Sequence, residues 1–150
     1  MSIEKEIQQE KFKSEAEKAI VNISYTNGYL SNQLNNAIKS HNISMQQFNV
    51  LRILQGQHPQ PVSINQITSR MVDKMSNASR LVDKLCSKEF VKREKCPYDK
   101  RQVDIKITPD GQKTLNQLNQ LTDGVINNHT NLNNDEFARL NELLDKLRGG

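Results

Sequence analysis

The segment from Ser76 to Gly111, SNASRLVDKLCSKEFVKREKCPYDKRQVDIKITPDG, constrains the fold of this chain more than any other. Ser76 can cap a helix whose buried stripe is Leu81, Val82 and Leu85, leaving Ser76, Asn77, Ser79, Arg80 and Lys84 exposed. Phe90 to Arg93 and Val103 to Ile107 read as strands, the second with strict period-2 alternation. Between them Glu94 to Gln102 is polar and turn-forming, with Pro97 and Asp99. Thr108-Pro109 then supplies an N-cap followed by proline at the first helical position.

The residues upstream complete this unit. Ser44-Met45-Gln46-Gln47 and Ser63-Ile64-Asn65-Gln66 are Ser-x-x-Gln capping boxes. The first opens a helix with Phe48, Leu51 and Leu54 on one face, ending near Gly56. The second opens a short helix with Ile67 and Met71. The prolines of His58-Pro59-Gln60-Pro61 mark a loop. Two short helices around the polar turn at Asp73-Lys74 form a helix-turn-helix, and the two strands add a wing. The expected fold is mainly α with a small β-wing, a winged helix-turn-helix over residues 44–108.

The flanks are helical. Ile20, Ile23, Leu30, Leu34 and Ile38 predict one long helix from about Ile7 to Lys39, with Gly28 costing about 1 kcal/mol relative to Ala. Leu115, Leu118, Leu121, Val125 and Ile126 carry a long helix after Pro109. Asn131 to Asn134 break it, and Asp135 to Leu147 form a last amphipathic helix through Phe137, Leu140, Leu143, Leu144 and Leu147. The whole chain, 1–150, reads as a single unit, with 1–40 and 109–150 forming a helical lobe around the winged helix.

Charge points to a partner. Between Ser63 and Thr108 eleven basic residues face six acidic ones, so this segment exceeds the net +4 of the whole chain. A basic middle between near-neutral helical ends suits a nucleic-acid-reading lobe on a neutral scaffold. Mean hydropathy is −0.75 and no apolar run approaches a membrane span. The charged N-terminus has no signal-peptide core, so a cytoplasmic, bacterial and nucleoid-associated location is expected. Cys86 and Cys96 make neither a disulfide framework nor a zinc set, and His41, His58 and His129 are scattered. No catalytic set, phosphate-cradling glycine loop or metal motif is present, so no enzyme, cofactor or metal is expected.

In order and spacing these pieces resemble the MarR family of bacterial winged-helix regulators. The resemblance rests on Ser79-Arg80-Leu81-Val82-Asp83-Lys84-Leu85, Val91-Lys92-Arg93, Asp99-x-Arg101 and Ile107-Thr108-x-x-Gly111, and covers nearly the whole chain. Glu89 stands where the family usually has glycine; a left-handed conformation there would cost about 1 kcal/mol. The resemblance implies a homodimer joined through 1–40 and 109–150, reading a pseudo-palindromic operator in double-stranded DNA, most simply as a repressor.

On that reading Asn77, Ser79 and Arg80, with Ser76, are candidate base readers, Asn suiting adenine and Arg guanine. Arg70, Lys74, Lys84 and Ser63 suit phosphates. Lys95, Asp99, Lys100 and Arg101 form the wing contact, with Arg101 entering a narrow minor groove and Asp99 holding its guanidinium. Relatives often bind small aromatic or phenolic ligands between the lobes. Tyr25, Tyr29, His41, Met45 and Phe48 are the candidates there, although most read as core or boundary residues. Cys86, beside Leu85, reads as a small buried hydrophobe. The competing expectations are an architectural or silencing DNA-binding protein without an effector, and a winged-helix protein-interaction module.

Overall fold

The computed structural model describes residues 1–128 and 131–150; His129 lies outside them. The elements are α1 (Ile3–Glu6), α2 (Glu15–Ile38), α3 (Met45–Gln57), β1 (Val62–Ser63), α4 (Ile64–Arg70), α5 (Ala78–Ser87), β2 (Val91–Lys95), β3 (Val103–Ile107), α6 (Pro109–Asn128) and α7 (Asn134–Leu147). Helices dominate, with one antiparallel sheet in the order β1-β3-β2.

The first helix begins later than its periodicity suggests. Residues 7–14 are not helical, because Gln8 adopts a left-handed φ of 55° and Ser14 caps α2 by accepting from the Glu17 N–H at 3.1 Å. The single turn α1 folds back on α2 instead. Ile3 is buried there, the Tyr25 hydroxyl donates to Glu6 at 2.7 Å, and Lys18 pairs with Glu4.

Both capping boxes form. Ser44 and Gln47 exchange bonds of 3.1 and 3.0 Å, and Ser63 and Gln66 bonds of 3.2 and 2.9 Å. A third, Asn133 with Glu136, opens α7. The cap of α5 falls on Asn77, not Ser76: Asn77 Oδ1 accepts from the Arg80 N–H at 3.0 Å.

The sheet has a strand that the sequence pattern does not announce. In β1, Val62 pairs with Ile105 and Ser63 with Asp104, which makes β3 the central strand. Alternation in β3 breaks at its outer end: Ile105 and Ile107 are buried, Val103 is 41% exposed and Asp104 only 7%. Asp104 lies between Ser63 and Glu94 in register, and the Gln102 side-chain amide donates to it at 3.1 Å.

One core cluster runs from Ile38 and Phe48 through Leu51, Leu54, Ile67, Val82, Leu85 and Ile105 to Leu115 and Leu118. Each such side chain contributes about 1.5–3 kcal/mol on burial. The terminal helices stand largely outside it. No residue of α7 is buried, and α2 buries only Ile38.

Candidate nucleic-acid interface

The helix-turn-helix is α4 and α5, and the main-chain N–H groups of its turn are held by hydrogen bonds. Asn49 Oδ1 accepts from the Val72 N–H at 2.9 Å, reaching across from α3. Asp73 Oδ1 accepts from Met75 N–H at 2.9 Å, and its carbonyl accepts from Ser76 N–H at 3.1 Å. Buried Met71, Ala78, Val82 and Leu85 pin the turn and α5 to the core. Ser79, Arg80 and Lys84 are left on the exposed face.

Several expected contacts are already committed. Ser76 is half-buried, and its Oγ is buried with no hydrogen-bond partner among the described residues, so it does not present its hydroxyl outward. Asn77 is exposed, but its carbonyl oxygen caps α5, which removes half of the pair needed to read adenine bidentately. Lys74 donates to the Ser69 carbonyl at 2.7 Å. The half-buried Ser63 spends its Oγ on the Gln66 N–H. Arg70 is exposed at the end of α4.

In the wing, the Asp99 carboxylate does not hold the Arg101 guanidinium. It accepts from the Arg101 backbone N–H at 2.9 Å, while the Asp99 carbonyl accepts from Gln102 N–H at 3.1 Å. This is an Asx turn, in which aspartate mimics a backbone carbonyl and shapes the tip. Lys95, Lys100 and Arg101 are exposed, as is Tyr98 at 97%. Tyr98, with Val72 (85%) and Met75 (93%) in the turn, adds apolar surface that a search for charge passes over.

Recognition helix and wing are joined firmly. Asp83 of α5 pairs with Arg93 of β2. Glu94 pairs with Lys92 at 2.9 Å and Lys106 at 3.2 Å, and these two ammonium groups hold its carboxyl below the usual carboxylate range. Glu89 is left-handed at φ 60°, with the Glu89 N–H donating to Cys86 O at 2.9 Å and the Phe90 N–H to Leu85 O at 3.1 Å. That is a Schellman ending, normally glycine's place. Thr108 Oγ1 then donates to Glu89 O at 2.7 Å, and Thr108 N–H to Phe90 O at 3.0 Å. A Cβ on Gly111 would lie 2.1 Å from Phe90 O, so this close approach requires glycine.

The five effector candidates do not converge. Tyr25 and Tyr29 line a cavity of about 290 Å³ with Met1, Ile3 and Glu6. Phe48 is 3% exposed, in the core under the Arg52 guanidinium. Met45 packs against the same core, and half-buried His41 sits beside Ser40. Tyr29 and His41 lie twelve positions apart, most of them helical, a rise of roughly 18 Å along α2. Burial raises the Cys86 thiol above its ordinary value. Among the described residues no cluster of His, Cys, Asp and Glu is placed to hold a metal ion.

The sequence profile of the MarR family matches residues 43–103. The multiple antibiotic resistance protein MarR of Salmonella typhimurium is 33% identical over 127 residues, which cover 79% of this chain and 86% of that protein. The HTH-type transcriptional regulator MgrA of Staphylococcus aureus is 29% identical over 121 residues, 81% of this chain and 78% of that protein. A mutant Escherichia coli MarR complexed with operator DNA superposes with a TM-score of 0.78 at 26% identity, covering 92% of this chain and 99% of that one. With this winged helix and its flanking helices, the chain belongs to the MarR family of winged-helix transcriptional regulators.

Proposed function

We propose that the chain acts as a homodimeric, sequence-specific DNA-binding repressor of a pseudo-palindromic operator, modulated by a small molecule. The observation that carries this reading is the shared rigid mounting of two exposed basic elements, Arg80 and Lys84 on α5 and Lys100 and Arg101 on the wing. The likeness to the operator-bound E. coli MarR mutant supports it. Ser79 and Arg80 read bases in the major groove, and Arg101 enters the minor groove. Lys84, Arg70, Lys95 and Lys100 meet phosphates.

The terminal helices support the dimer. Phe137, Leu140, Leu143 and Leu147 make an apolar face on α7 that the chain itself does not cover, and Ile20, Leu30, Leu121 and Ile126 are exposed on α2 and α6. Two copies joined there place two reading lobes about one helical turn of DNA apart.

Footprinting on the DNA upstream of the protein's own gene, across a salt series, tests the proposal. A protected inverted repeat overlapping a promoter is expected, with affinity falling steeply as salt rises. Uniform, sequence-indifferent protection would replace the operator reading with the architectural one.

A further inference from the structure

One cavity faces neither the tyrosines nor the wing. It is a cleft of about 720 Å³ between the end of α2 and the second half of α5, within the size range of small-molecule sites. Lys39 approaches it from the turn after α2, Lys84 from α5 and Lys88 from the C-cap position of α5. The other lining side chains are the amides of Asn35, Asn36, Asn42 and Gln47, the hydroxyls of Ser44 and Ser87, and Ile43; no carboxylate or aromatic ring is among them. Three like charges around one concave surface repel each other and focus a positive potential. Of the three, Lys88 is held by the Asn42 carbonyl, and none takes part in an ion pair among the described residues. The positive end of α3 opens on the same side, at Ser44.

We infer that this cleft binds a small hydrophilic anion carrying two or more negative charges, through Lys39, Lys84 and Lys88. Its lining has nothing on which to stack a phenol. The capping box engages Ser44 and Gln47, and the Ser87 hydroxyl donates to the Asp83 carbonyl. That leaves the three ammonium groups and the amides of Asn35 and Asn36 to neutralise and hydrogen-bond phosphate or carboxylate oxygens. The site spans the end of α2 and the recognition helix, and Lys84 belongs both to it and to the proposed phosphate contacts. An occupying anion therefore draws Lys84 from DNA and ties α5 to α2. The effect on DNA rests on the regulator reading above; the binding does not.

Calorimetric titration of the full-length protein with pyrophosphate, and separately with citrate, at low constant ionic strength tests the site. One anion per chain is expected, bound about fivefold more weakly by Lys39→Gln and by Lys88→Gln. Lys113→Gln, on the exposed side of α6 outside the cleft, should leave that affinity as it is. Matched pyrophosphate should also weaken wild-type operator binding more than chloride does, and weaken that of Lys39→Gln less. No binding, or an equal loss with Lys113→Gln, would overturn the site. So would a Lys39→Gln variant that loses operator affinity without anion but keeps pyrophosphate affinity, since Lys39 would then serve DNA phosphates. Failure of wild-type operator binding without any anion strikes the regulator reading alone.

Discussion

Asp99 Oδ1 accepts the backbone N–H of Arg101 at 2.9 Å, so the acid of the wing motif shapes the turn and leaves the arginine side chain to its own work. The two residues therefore separate experimentally. Arg101→Ala should weaken operator binding and lower the slope of affinity against salt by about one unit. Asp99→Asn should keep near wild-type affinity, because an amide oxygen can accept the same bond, whereas Asp99→Ala should lose it. Equal losses from Asn and Ala in a salt-dependent binding titration would restore the ion-pair role.

The junction behind the wing predicts two stability changes of opposite sign. Glu89→Gly removes a side chain from a left-handed position and should stabilise the fold by about 1 kcal/mol. Gly111→Ala forces a methyl group against Phe90 O and should cost about 3 kcal/mol. Urea denaturation of the three proteins checks both; a destabilised Glu89→Gly would mean that the glutamate makes a contact worth more than its strain.

Leu140→Glu with Leu143→Glu places two charges on the uncovered face of α7. Sedimentation should show the wild type as a dimer and the double variant as a monomer at micromolar concentration, with operator affinity lost alongside. A dimeric double variant would move the interface elsewhere.

Lys18, with backbone and Ser2 hydrogen bonds, lowers the Glu4 carboxyl from 4.5 to about 2. A depressed folded-state value stabilises docking of α1 above the ordinary carboxylate range. That contribution fades as pH falls from about 4.5 towards 2. Carboxyl chemical shifts followed through acid should show Glu4 titrating near the lower limit, and Lys18→Ala should return it towards 4.5. An unchanged midpoint in Lys18→Ala would assign the shift to the backbone and Ser2.

The features legible in the sequence were those decided locally. Ser44 with Gln47 and Ser63 with Gln66 specify helix starts within four residues, independently of any distant contact. The recognition-helix stripe and, up to its outer end, β3 also carry their own period. β1 does not, because two residues have no period and Val62 becomes a strand only by pairing with Ile105. The start of α2 depends on α1 folding back, a contact between Glu6 and Tyr25 nineteen positions apart. At Asp99 and Arg101 the sequence brings the pair together, but it cannot distinguish a bond to the guanidinium from one to the backbone. Tyr25 and Tyr29 read with Phe48 as neighbours where the two lobes meet, but the length of α2 carries the tyrosines away from that junction.

The Asp83–Arg93 pair, the Schellman ending at Glu89 and the Thr108 bonds to Glu89 and Phe90 fasten α5 and the wing at several points. On the proposed reading, neither leaves its groove while the other stays. Dissociation of a half-site should be a single kinetic event, with no intermediate in which the minor groove is vacated first. On that same reading, a signal that releases this protein tilts an entire lobe, with its leverage applied at the root of that lobe instead of at the fingertips meant for the bases.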